Sequence, residues 1–319
     1  MEREPILEPI DRSLLKSELN DNTFVRKTNK GNNLIFIVDC KNAPHVIQEI
    51  GRLRELTFSQ SGGGTGKSVD LDTFDLSEHC YSQLVVYSPE DEEIIGGYRF
   101  IDCAQVINKG LPDLGLSTRH YFNFSDAFIR SYLPYTIELG RSWVQPKYQP
   151  SVNPRKGIFA LDNLWDGLGA ITVDYPHTRY FFGKVTMYSH YHPEARDAVL
   201  RFMQYYFPDN ERLVSPIKPL HLKHELHELM HSLKNKNFRE GLKILQSFVR
   251  THGENIPPLI NNYMQLSPSM KAFGTALNPD FGGVEETGIL VTLNDIYEEK
   301  KARHIQTYTQ GQTLAEALR

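Results

Sequence analysis

The sequence predicts a mixed α/β fold in which a mainly antiparallel sheet is flanked by helices, with an additional C-terminal helical region. Strand-like and helix-like segments alternate along most of the 319 residues. Two strand-like runs, residues 84–87 and 94–101, are joined by a short acidic turn, which is typical of an antiparallel hairpin. No internal repeat is present, so a solenoid or propeller is not indicated.

The first predicted elements are a strand and the helix that follows it. The uninterrupted apolar run Leu34–Val38 predicts a buried strand. Asn42 and Pro44 are residue types that begin helices, and apolar residues then recur at helical spacing until a glycine cluster at 62–64. Beyond the hairpin, Thr136–Val144 has the composition of a further strand.

The second half of the chain continues the alternation and then becomes helical. Its predicted elements are a helix over 157–168, a strand over Tyr180–Met187, a helix over 193–207, two helices after residue 215 and a strand over 288–293. Asn237 and Glu240 have capping-box spacing and begin the second of the late helices, which Gly253 ends. We divide the chain into an N-terminal extension (1–30), a central α/β domain (31–210) and a C-terminal helical extension (211–319) packed on the same core.

Composition and charge are those of an ordinary folded protein, with 40% hydrophobic and 23% charged residues. A net charge of −4 does not fit a nucleic-acid-binding surface. Three widely spaced cysteines, Cys40, Cys80 and Cys103, have no metal-ligand rhythm and suit a reducing compartment. We see no signal peptide, and the apolar runs are far shorter than the ~20 residues that span a bilayer. We expect a cytoplasmic protein with, at most, peripheral contact at the inner membrane face.

The glycine-rich segment 62–68 (GGGTGKS) is similar to a phosphate-binding P-loop but fails the pattern. The pattern GxxxxGK[ST] would place its first glycine at position 61, which is Ser61. A P-loop also follows a strand and opens a helix, whereas this segment follows a helix and leads into Asp70 and Asp72. We interpret it as a mobile loop and not as a nucleotide site.

Residues 227–231 (HELMH) satisfy the HExxH pattern of zinc hydrolases. Lys234 and Asn237 stand where the extended motif needs glycine and a third histidine, which excludes that zinc class. A helix here would place the histidines on one face and four leucines on the opposite face. The leucines are Leu222, Leu226, Leu229 and Leu233. A solvated polar face, an adventitious or structural metal and a catalytic zinc are the alternatives. We favour the first and predict no metal ligands.

Charged residues are concentrated in segments that otherwise look buried. They are Arg54 on a helix, Asp70, Asp72 and Asp75 in a loop, and Arg99, Glu138 and Arg141 on strands. Burying an unpaired ion is strongly destabilising, so these arginines and carboxylates are expected to pair. Charge alone leaves two functions open: a structural network that pins the acidic loop to the sheet, or a catalytic site.

The order and spacing of these residues are similar to those of a known enzyme group. The matching residues are Arg54 with Phe58, Asp70, Asp72 and Asp75 with His79, Gly97-Tyr98-Arg99, and Glu138-Leu139-Gly140-Arg141. The sequence resembles the N-acyltransferases of ornithine-lipid synthesis and the bacterial glycine N-acyltransferases, and more distantly the acyl-homoserine-lactone synthases. The resemblance is specific over 52–144, extends to about 206 and is weaker at 278–282 and in the tail. It implies a GNAT-like fold over 31–210. We discount the haemolysin-like name that some of these proteins carry.

The resemblance implies an acyltransferase that moves a (3-hydroxy)fatty acyl group from acyl carrier protein to the α-amine of an amino acid. Glycine is the first candidate acceptor and ornithine the second, and the product is an N-acyl amino acid lipid or its precursor. No cofactor is implied beyond the thioester donor. Two alternatives stay open: coenzyme-A-dependent transfer to another amine, and a non-enzymatic membrane-associating protein.

The resemblance also assigns roles to residues. Glu138 is the candidate base, directly or through water, while Arg99 and Arg141 hold the acceptor's carboxylate or steady the acidic loop. Glu138 and Arg141 would point to opposite faces of a regular strand, but Gly140 allows a bulge that returns both to one face. The substrate-binding and ion-network residues are Arg54, Phe58, Asp70, Asp72, Asp75 and His79.

An acidic carrier protein needs a basic patch on its partner. The candidates flank the Glu138 strand and are Arg119, Arg130, Lys147, Arg155 and Lys156. Residues 155–157 (RKG) are a poor version of the phosphate-binding loop of GNAT enzymes, which favours carrier protein over coenzyme A as the donor. Seven aromatic residues could line an acyl tunnel, although ordinary core is expected for most of them: Tyr121, Phe122, Phe124, Phe128, Trp143, Phe181 and Phe182.

Overall fold

The computed structural model describes residues 3–318, which form a large sheet of eight strands and a small sheet of two. The strands are β1 (Phe24–Lys27), β2 (Leu34–Val38), β3 (Ser82–Ser88), β4 (Glu93–Asp102), β5 (Phe122–Phe124), β6 (Thr136–Val144), β7 (Tyr180–Met187), β8 (Val214–Pro216), β9 (Lys271–Asn278) and β10 (Val284–Thr292). The small sheet is the pair β5 and β8, and the other strands form the large sheet.

Helices of different lengths connect and cover the strands. They are α1 (Arg12–Glu18), α2 (Pro44–Gln60), α3 (Thr73–Leu76), α4 (Pro154–Gly157), α5 (Ala160–Asp174), α6 (Pro193–Tyr206), α7 (His227–Leu233), α8 (Phe238–Thr251), α9 (Pro258–Met264), α10 (Glu298–His304) and α11 (Leu314–Ala317). Short 3₁₀ turns and a π-helical turn, Phe128–Tyr132, fill much of the segment between β4 and β6.

The large sheet has the strand order β1-β2-β3-β4-β6-β7-β10-β9. Its neighbouring strands are antiparallel except β6 and β7, which are parallel. A parallel pair needs a crossover connection, and α4 and α5 supply it. The predicted fold class, a mixed and mainly antiparallel sheet flanked by helices, is confirmed.

The core occupies both faces of the sheet. Leu84 and Val86 pack toward α5, α6, α8 and α9 on the first face. Val85 and Tyr87 pack toward α2 on the second face, where an aromatic cluster from the segment between β4 and β6 covers the rest. Because both faces are covered, the central strands read as continuous apolar runs in the sequence.

Local sequence signals placed most of these elements correctly. β2, β6 and β7 have the predicted bounds, and β3 and β4 form the predicted hairpin. The capping box of Asn237 and Glu240 begins α8. Asn42 is not the cap of α2: that position is Ala43, and the Asn42 side chain accepts a hydrogen bond from the Asp39 amide at 2.9 Å.

The predicted divisions at 30/31 and 210/211 do not coincide with breaks in the sheet. β1 forms one edge of the large sheet, while β9 and β10 complete the other end, with β10 between β7 and β9. Strand β9 was not predicted from the sequence, because Gly274 interrupts it and Thr275 is its one β-branched residue. In the structure Gly274 has a φ of 89°.

Helix α7 is shorter than expected because Leu226, with a φ of 54°, breaks the helical backbone before His227. The leucine face that we drew from Leu222 was therefore wrong, although His227 and His231 are solvent-exposed as expected. Over residues 3–318, no group of three or more His, Cys, Asp or Glu side chains is arranged to hold a metal ion. No helix in this part of the chain is both long and apolar enough to cross a bilayer.

Candidate active site

The candidate site forms where β6 and β7 separate. Parallel pairing joins them from Thr136 with Tyr180 as far as Leu139 with Gly183. β6 then continues to Val144 paired with β4 alone, and β7 continues beside β10. Beyond this point no ladder hydrogen bonds join the two facing edges, and a cleft opens between them.

A β-bulge in β6 lies at the point of separation. The register between β4 and β6 shifts between Gly97 and Arg99, so β6 contributes an extra residue. The predicted bulge is confirmed, but the left-handed backbone is at Arg141, with a φ of 46°, and not at Gly140. A non-glycine residue in this conformation costs about 1–3 kcal/mol, and such strain is common at functional sites. The bulge turns Arg141 toward the acidic loop.

The cleft has a volume of about 470 Å³ and a lining of mixed character. Its apolar lining includes Phe58, Trp143, Val144, Leu161, Leu259 and Phe281. Its charged lining consists of Arg141, Lys184 and Glu286. A cleft of this kind suits a ligand that combines an apolar chain with a charged group.

Arg54 is the centre of a buried ion network beside the cleft. Its fully buried guanidinium lies 3.0 Å from Asp70 and 3.0 Å from Asp75. Gln83 of β3 donates a further hydrogen bond of 2.8 Å to Asp75. The structure thus brings together α2, the acidic loop and the sheet through one arginine.

Arg99 and Arg141 extend this network toward the cleft. Arg99 Nη1 lies 2.8 Å from both carboxylate oxygens of Asp72, which also caps α3. Arg141 Nε lies 3.0 Å from Asp70, and its guanidinium stacks 4.3 Å from the ring centre of Phe281. The acidic loop therefore holds both arginines in place.

The network leaves hydrogen-bonding capacity unused. Burial alone would raise the pKa of Asp70 and of Asp75, but neighbouring guanidiniums hold both pKa values below the ordinary value. Both carboxylates are therefore ionised at neutral pH. Three buried atoms have no hydrogen-bond partner among the described residues: Asp70 Oδ1, Arg99 Nε and Arg141 Nε. Arg141 Nε does form an ion pair with Asp70, but the contact lacks the geometry of a hydrogen bond.

Glu138 lies on the second face of the large sheet, as the ion network does, but it does not line the cleft. Its fully buried carboxylate accepts hydrogen bonds from the Tyr81 hydroxyl at 2.7 Å, from Ser117 Oγ at 2.8 Å and N at 3.1 Å, and from Thr118 Oγ1 at 2.5 Å. Burial and the Glu138 charge both raise the pKa of Tyr81, so its hydroxyl stays a donor. The ring of Tyr81 contacts Arg99, which links Glu138 to the network.

A second charged pair, Lys184 of β7 and Glu286 of β10, was not predicted from the sequence. Lys184 Nζ lies 2.5 Å from Glu286 Oε1, and Thr186 and Asn278 donate to the same carboxylate at 2.9 and 3.1 Å. Burial alone would raise the pKa of Glu286, but the ammonium of Lys184 holds it below its ordinary value. The available signal was the polar alternation at 184 and 186 within an otherwise apolar strand.

Phe58 and His79, both predicted to bind substrate, lie in different surroundings. Phe58 lines the cleft, and its ring centre lies 5.2 Å from that of Phe281. Phe281 belongs to the weakly matching segment 278–282, which forms the turn between β9 and β10. His79 is half-buried outside the network, with Nδ1 3.4 Å from Lys109 Nζ.

Two of the predicted docking residues, Arg119 and Arg130, precede β6 and lie away from the cleft lining. Arg119 donates a hydrogen bond of 3.1 Å to the Phe122 carbonyl and is partly buried. Arg130 is exposed and lies 3.5 Å from Asp126. The structure therefore does not join these two residues to the group that follows β6.

The other three docking residues follow β6, on a segment that contributes residues 149–151 and Gly157 to the cleft lining. Lys147 pairs with Glu93 at 2.8 Å and Lys156 with Asp91 at 2.5 Å, so hairpin carboxylates offset both charges. The described ion pairs include none for the third residue, Arg155.

The glycine-rich segment 62–68 binds an internal anion. The carboxylate of Glu55 accepts hydrogen bonds from Thr65 N at 2.9 Å, Thr65 Oγ1 at 2.8 Å and Gly66 N at 2.9 Å. Amides that a P-loop would offer to phosphate are used within the protein. The segment is a loop, as predicted, but Glu55 anchors it.

Most of the aromatic residues expected in a tunnel or core are core. Phe124, Phe128 and Phe182 pack with ring centres 4.9 to 5.5 Å apart beneath the second face of the sheet. Trp143 is the member of this group that lines the cleft.

Comparison with known proteins gives matches over part and over nearly all of the chain. The acetyltransferase (GNAT) domain family matches residues 53–155. A protein of Bacteroides thetaiotaomicron named glycine N(alpha)-acyltransferase is 52% identical over 310 residues, which cover 97% of this chain and 91% of the relative. A protein of Phocaeicola vulgatus with the same name is 50% identical over 307 residues, which cover 96% and 94%. No solved structure matches the chain.

Proposed function

We propose that this chain, which belongs to the family of the glycine N(alpha)-acyltransferases, transfers a fatty acyl group to the amine of glycine. The proposed donor of the acyl group is acyl carrier protein. The chain is an acyltransferase with a GNAT domain. Glycine follows from the names of the two relatives, and ornithine is the second candidate. The product would be an N-acylglycine that serves as a lipid or a lipid precursor.

The observation that carries the proposal is the cleft between β6 and β7. Amide formation needs a polarised thioester carbonyl, a deprotonated amine and an apolar space for the chain. The unpaired strand edges offer backbone donors for the carbonyl, and residues such as Trp143 and Leu259 offer apolar contact. Arg141 in the same lining supports binding of an acceptor that carries a carboxylate.

The residue roles expected from the resemblance stay predictions. Arg141 is the candidate contact for the acceptor's carboxylate, while Arg99 positions the acidic loop through Asp72. Glu138 is the motif's candidate base. Because protein donors surround its carboxylate, proton transfer to Glu138 would pass through Tyr81 or a water molecule.

The direct test supplies the purified protein with 3-hydroxypalmitoyl carrier protein or the corresponding coenzyme A ester, together with glycine or ornithine. We expect N-acylglycine by mass spectrometry and one free thiol per amide, with the carrier-protein donor giving the higher kcat/KM. No acylated amino acid with either donor would contradict the proposal. A clear preference for the coenzyme A ester would correct the donor.

The docking surface is tested separately, with Arg155→Glu and Lys156→Glu together. Reversing charge beside the cleft should raise KM for the carrier protein severalfold and make that KM less sensitive to salt. Arg130→Glu is the matched control, since it reverses an exposed charge away from the cleft. If both variants change KM for the carrier protein equally, the carrier protein does not dock specifically at Arg155 and Lys156. Peripheral contact with a membrane stays a prediction.

A further inference from the structure

Lys184 and Glu286 form a buried ion pair that has no role in the function proposed above. They lie on neighbouring strands and both line the cleft. Glu286 is 1% exposed, and the Lys184 side chain is 12% exposed. A buried ion pair is often no more stabilising than apolar residues of the same volume. Stability alone therefore does not account for this pair.

A polar atom beside the pair has unused hydrogen-bonding capacity. Asn278 donates to Glu286 through Nδ2, while its Oδ1 is buried without a partner among the described residues. Arg141 Nε is already used in the ion pair with Asp70, at 3.0 Å, and is not free for a ligand. Buried polar atoms of this kind are normally satisfied by a ligand or by ordered water. Here an acceptor atom beside Glu286 is left unused.

More positive than negative charges surround Lys184. Burial lowers the pKa of Lys184, Glu286 opposes that effect, and the guanidiniums of Arg141 and Arg99 add to it. Lys184 thus feels two further cations, whose carboxylate partners lie in the acidic loop. A second carboxylate, brought by a ligand, would improve this balance.

We propose that Lys184 and Glu286 form the acceptor subsite of the acyl transfer, an inference that rests on the proposed function. Lys184 and Arg141 bind the carboxylate of the amino acid. Glu286 binds the amino group and takes up its proton. An amino acid zwitterion matches this arrangement because each of its charges meets an opposite charge.

The reaction at this subsite balances in three steps. The acceptor's ammonium group gives one proton to Glu286, and the free amine attacks the thioester carbonyl carbon. The C–N bond forms, the C–S bond breaks, and the second amine proton goes to the departing sulfur. The amide and the free thiol leave, and Glu286 releases its proton to solvent. Contact between the substrate carboxylate and Lys184 weakens the Lys184–Glu286 pair, which favours proton uptake by Glu286.

Kinetics of two variants with glycine and glycinamide test the inference. Glu286→Gln keeps the shape of the side chain but cannot take up a proton, so kcat should fall by about 10²–10⁴-fold. KM for both acceptors should also rise, because the neutral amide has lost the charge that binds the amino group. Lys184→Met should raise KM for glycine by about ten- to a hundredfold. It should leave KM for glycinamide unchanged, because that acceptor has no carboxylate.

Glu285→Gln is the matched control. Glu285 precedes Glu286 on β10, is buried and pairs with Arg196, but it lies on the opposite face of the sheet. This variant should keep wild-type kinetics. The double variant Lys184→Met/Glu286→Gln removes both charges, so it guards against unfolding caused by one unpaired ion.

Three results would overturn the inference. The first is a folded double variant whose kcat is within about threefold of wild type. The second is an equal rise of KM for glycine and glycinamide in Lys184→Met. The third result concerns binding and is needed if wild type acylates no amino acid, since the proposed function then fails. In that case calorimetric titration with glycine tests whether Lys184 and Glu286 still bind an amino acid. Binding to wild type but not to Lys184→Met supports the subsite, and equal binding or none overturns it.

Discussion

Two buried carboxylates on the second face of the sheet, Glu138 and Glu286, lie on either side of the separation between β6 and β7. Glu138 is surrounded by hydroxyl and amide donors and does not line the cleft. Glu286 is held by the ammonium of Lys184 and lines the cleft. Both are equally removed from bulk water, but the partners of Glu138 are neutral and the main partner of Glu286 is charged.

The difference shows that two equally buried carboxylates can have different access to a ligand. Neutral donors satisfy the carboxylate of Glu138 and fix the segment around Ser117 beside the ion network. A charged partner next to a cleft can instead be shared with a ligand of opposite charge. We therefore call the region around Glu138 and Arg54 the closed side, and the region around Lys184 and Glu286 the open side.

The largest expected effect comes from removing the central cation of the closed side. Arg54→Met leaves Asp70 and Asp75 buried without their shared partner, so the free energy of unfolding should fall by about 3–5 kcal/mol in urea denaturation. Lys184→Met should cost less, because Thr186 and Asn278 still donate to Glu286 and the cleft admits water. Equal losses would remove the distinction between the two sides.

The second test asks whether Glu138 acts as a base or as a structural acceptor. Glu138→Gln replaces the charged acceptor of four hydrogen bonds, so we expect a loss of about 1–3 kcal/mol in stability. If Glu286 is the base, as inferred above, kcat of this variant should stay within about tenfold of wild type. Tyr81→Phe should show the same pattern. A fall in kcat of about 10²–10⁴-fold in stable Glu138→Gln would instead identify Glu138 as the base, as the sequence motif suggests.

The third test perturbs the turn that carries Phe281 on the open side. Gly282 has a φ of 74°, and a Cβ there would lie 2.6 Å from the Gly62 carbonyl oxygen. Gly282→Ala should therefore lower stability by about 1–3 kcal/mol and raise KM for the acceptor, because Phe281 shifts against Arg141. Gly283→Ala is the control: its φ is 70°, but among the described residues, apart from its chain neighbours, no atom lies within 4 Å of the added Cβ. Similar KM values for both variants would separate this turn from acceptor binding.

The smallest effect is expected for a change outside both sides. His227→Ala with His231→Ala removes exposed side chains of α7, so kcat, KM and thermal stability should all stay at wild-type values. Treatment with a chelator should likewise leave activity unchanged. Loss of activity together with stoichiometric zinc in the purified protein would restore the metal hypothesis.

The sequence by itself determined the features that depend on near neighbours. An apolar run located β2, strand-like composition located β6 and β7, and capping-box spacing located the start of α8. The need of buried ions for partners predicted that Arg54 and the acidic loop would meet. These inferences were possible because helical and strand periodicity, turn chemistry and charge pairing are set within a few residues or by strong local constraints.

Only the tertiary structure decided how distant segments meet. It inserted β10 beside β7 and so paired Lys184 with Glu286, 102 residues apart. It also brought the thiols of Cys40 and Cys80 within 3.0 Å and left His79 outside the network that its spacing suggested. The physical reason is that strand partners are selected by packing across the whole core, and a lysine and a glutamate on separate strands carry no local sign of their partner.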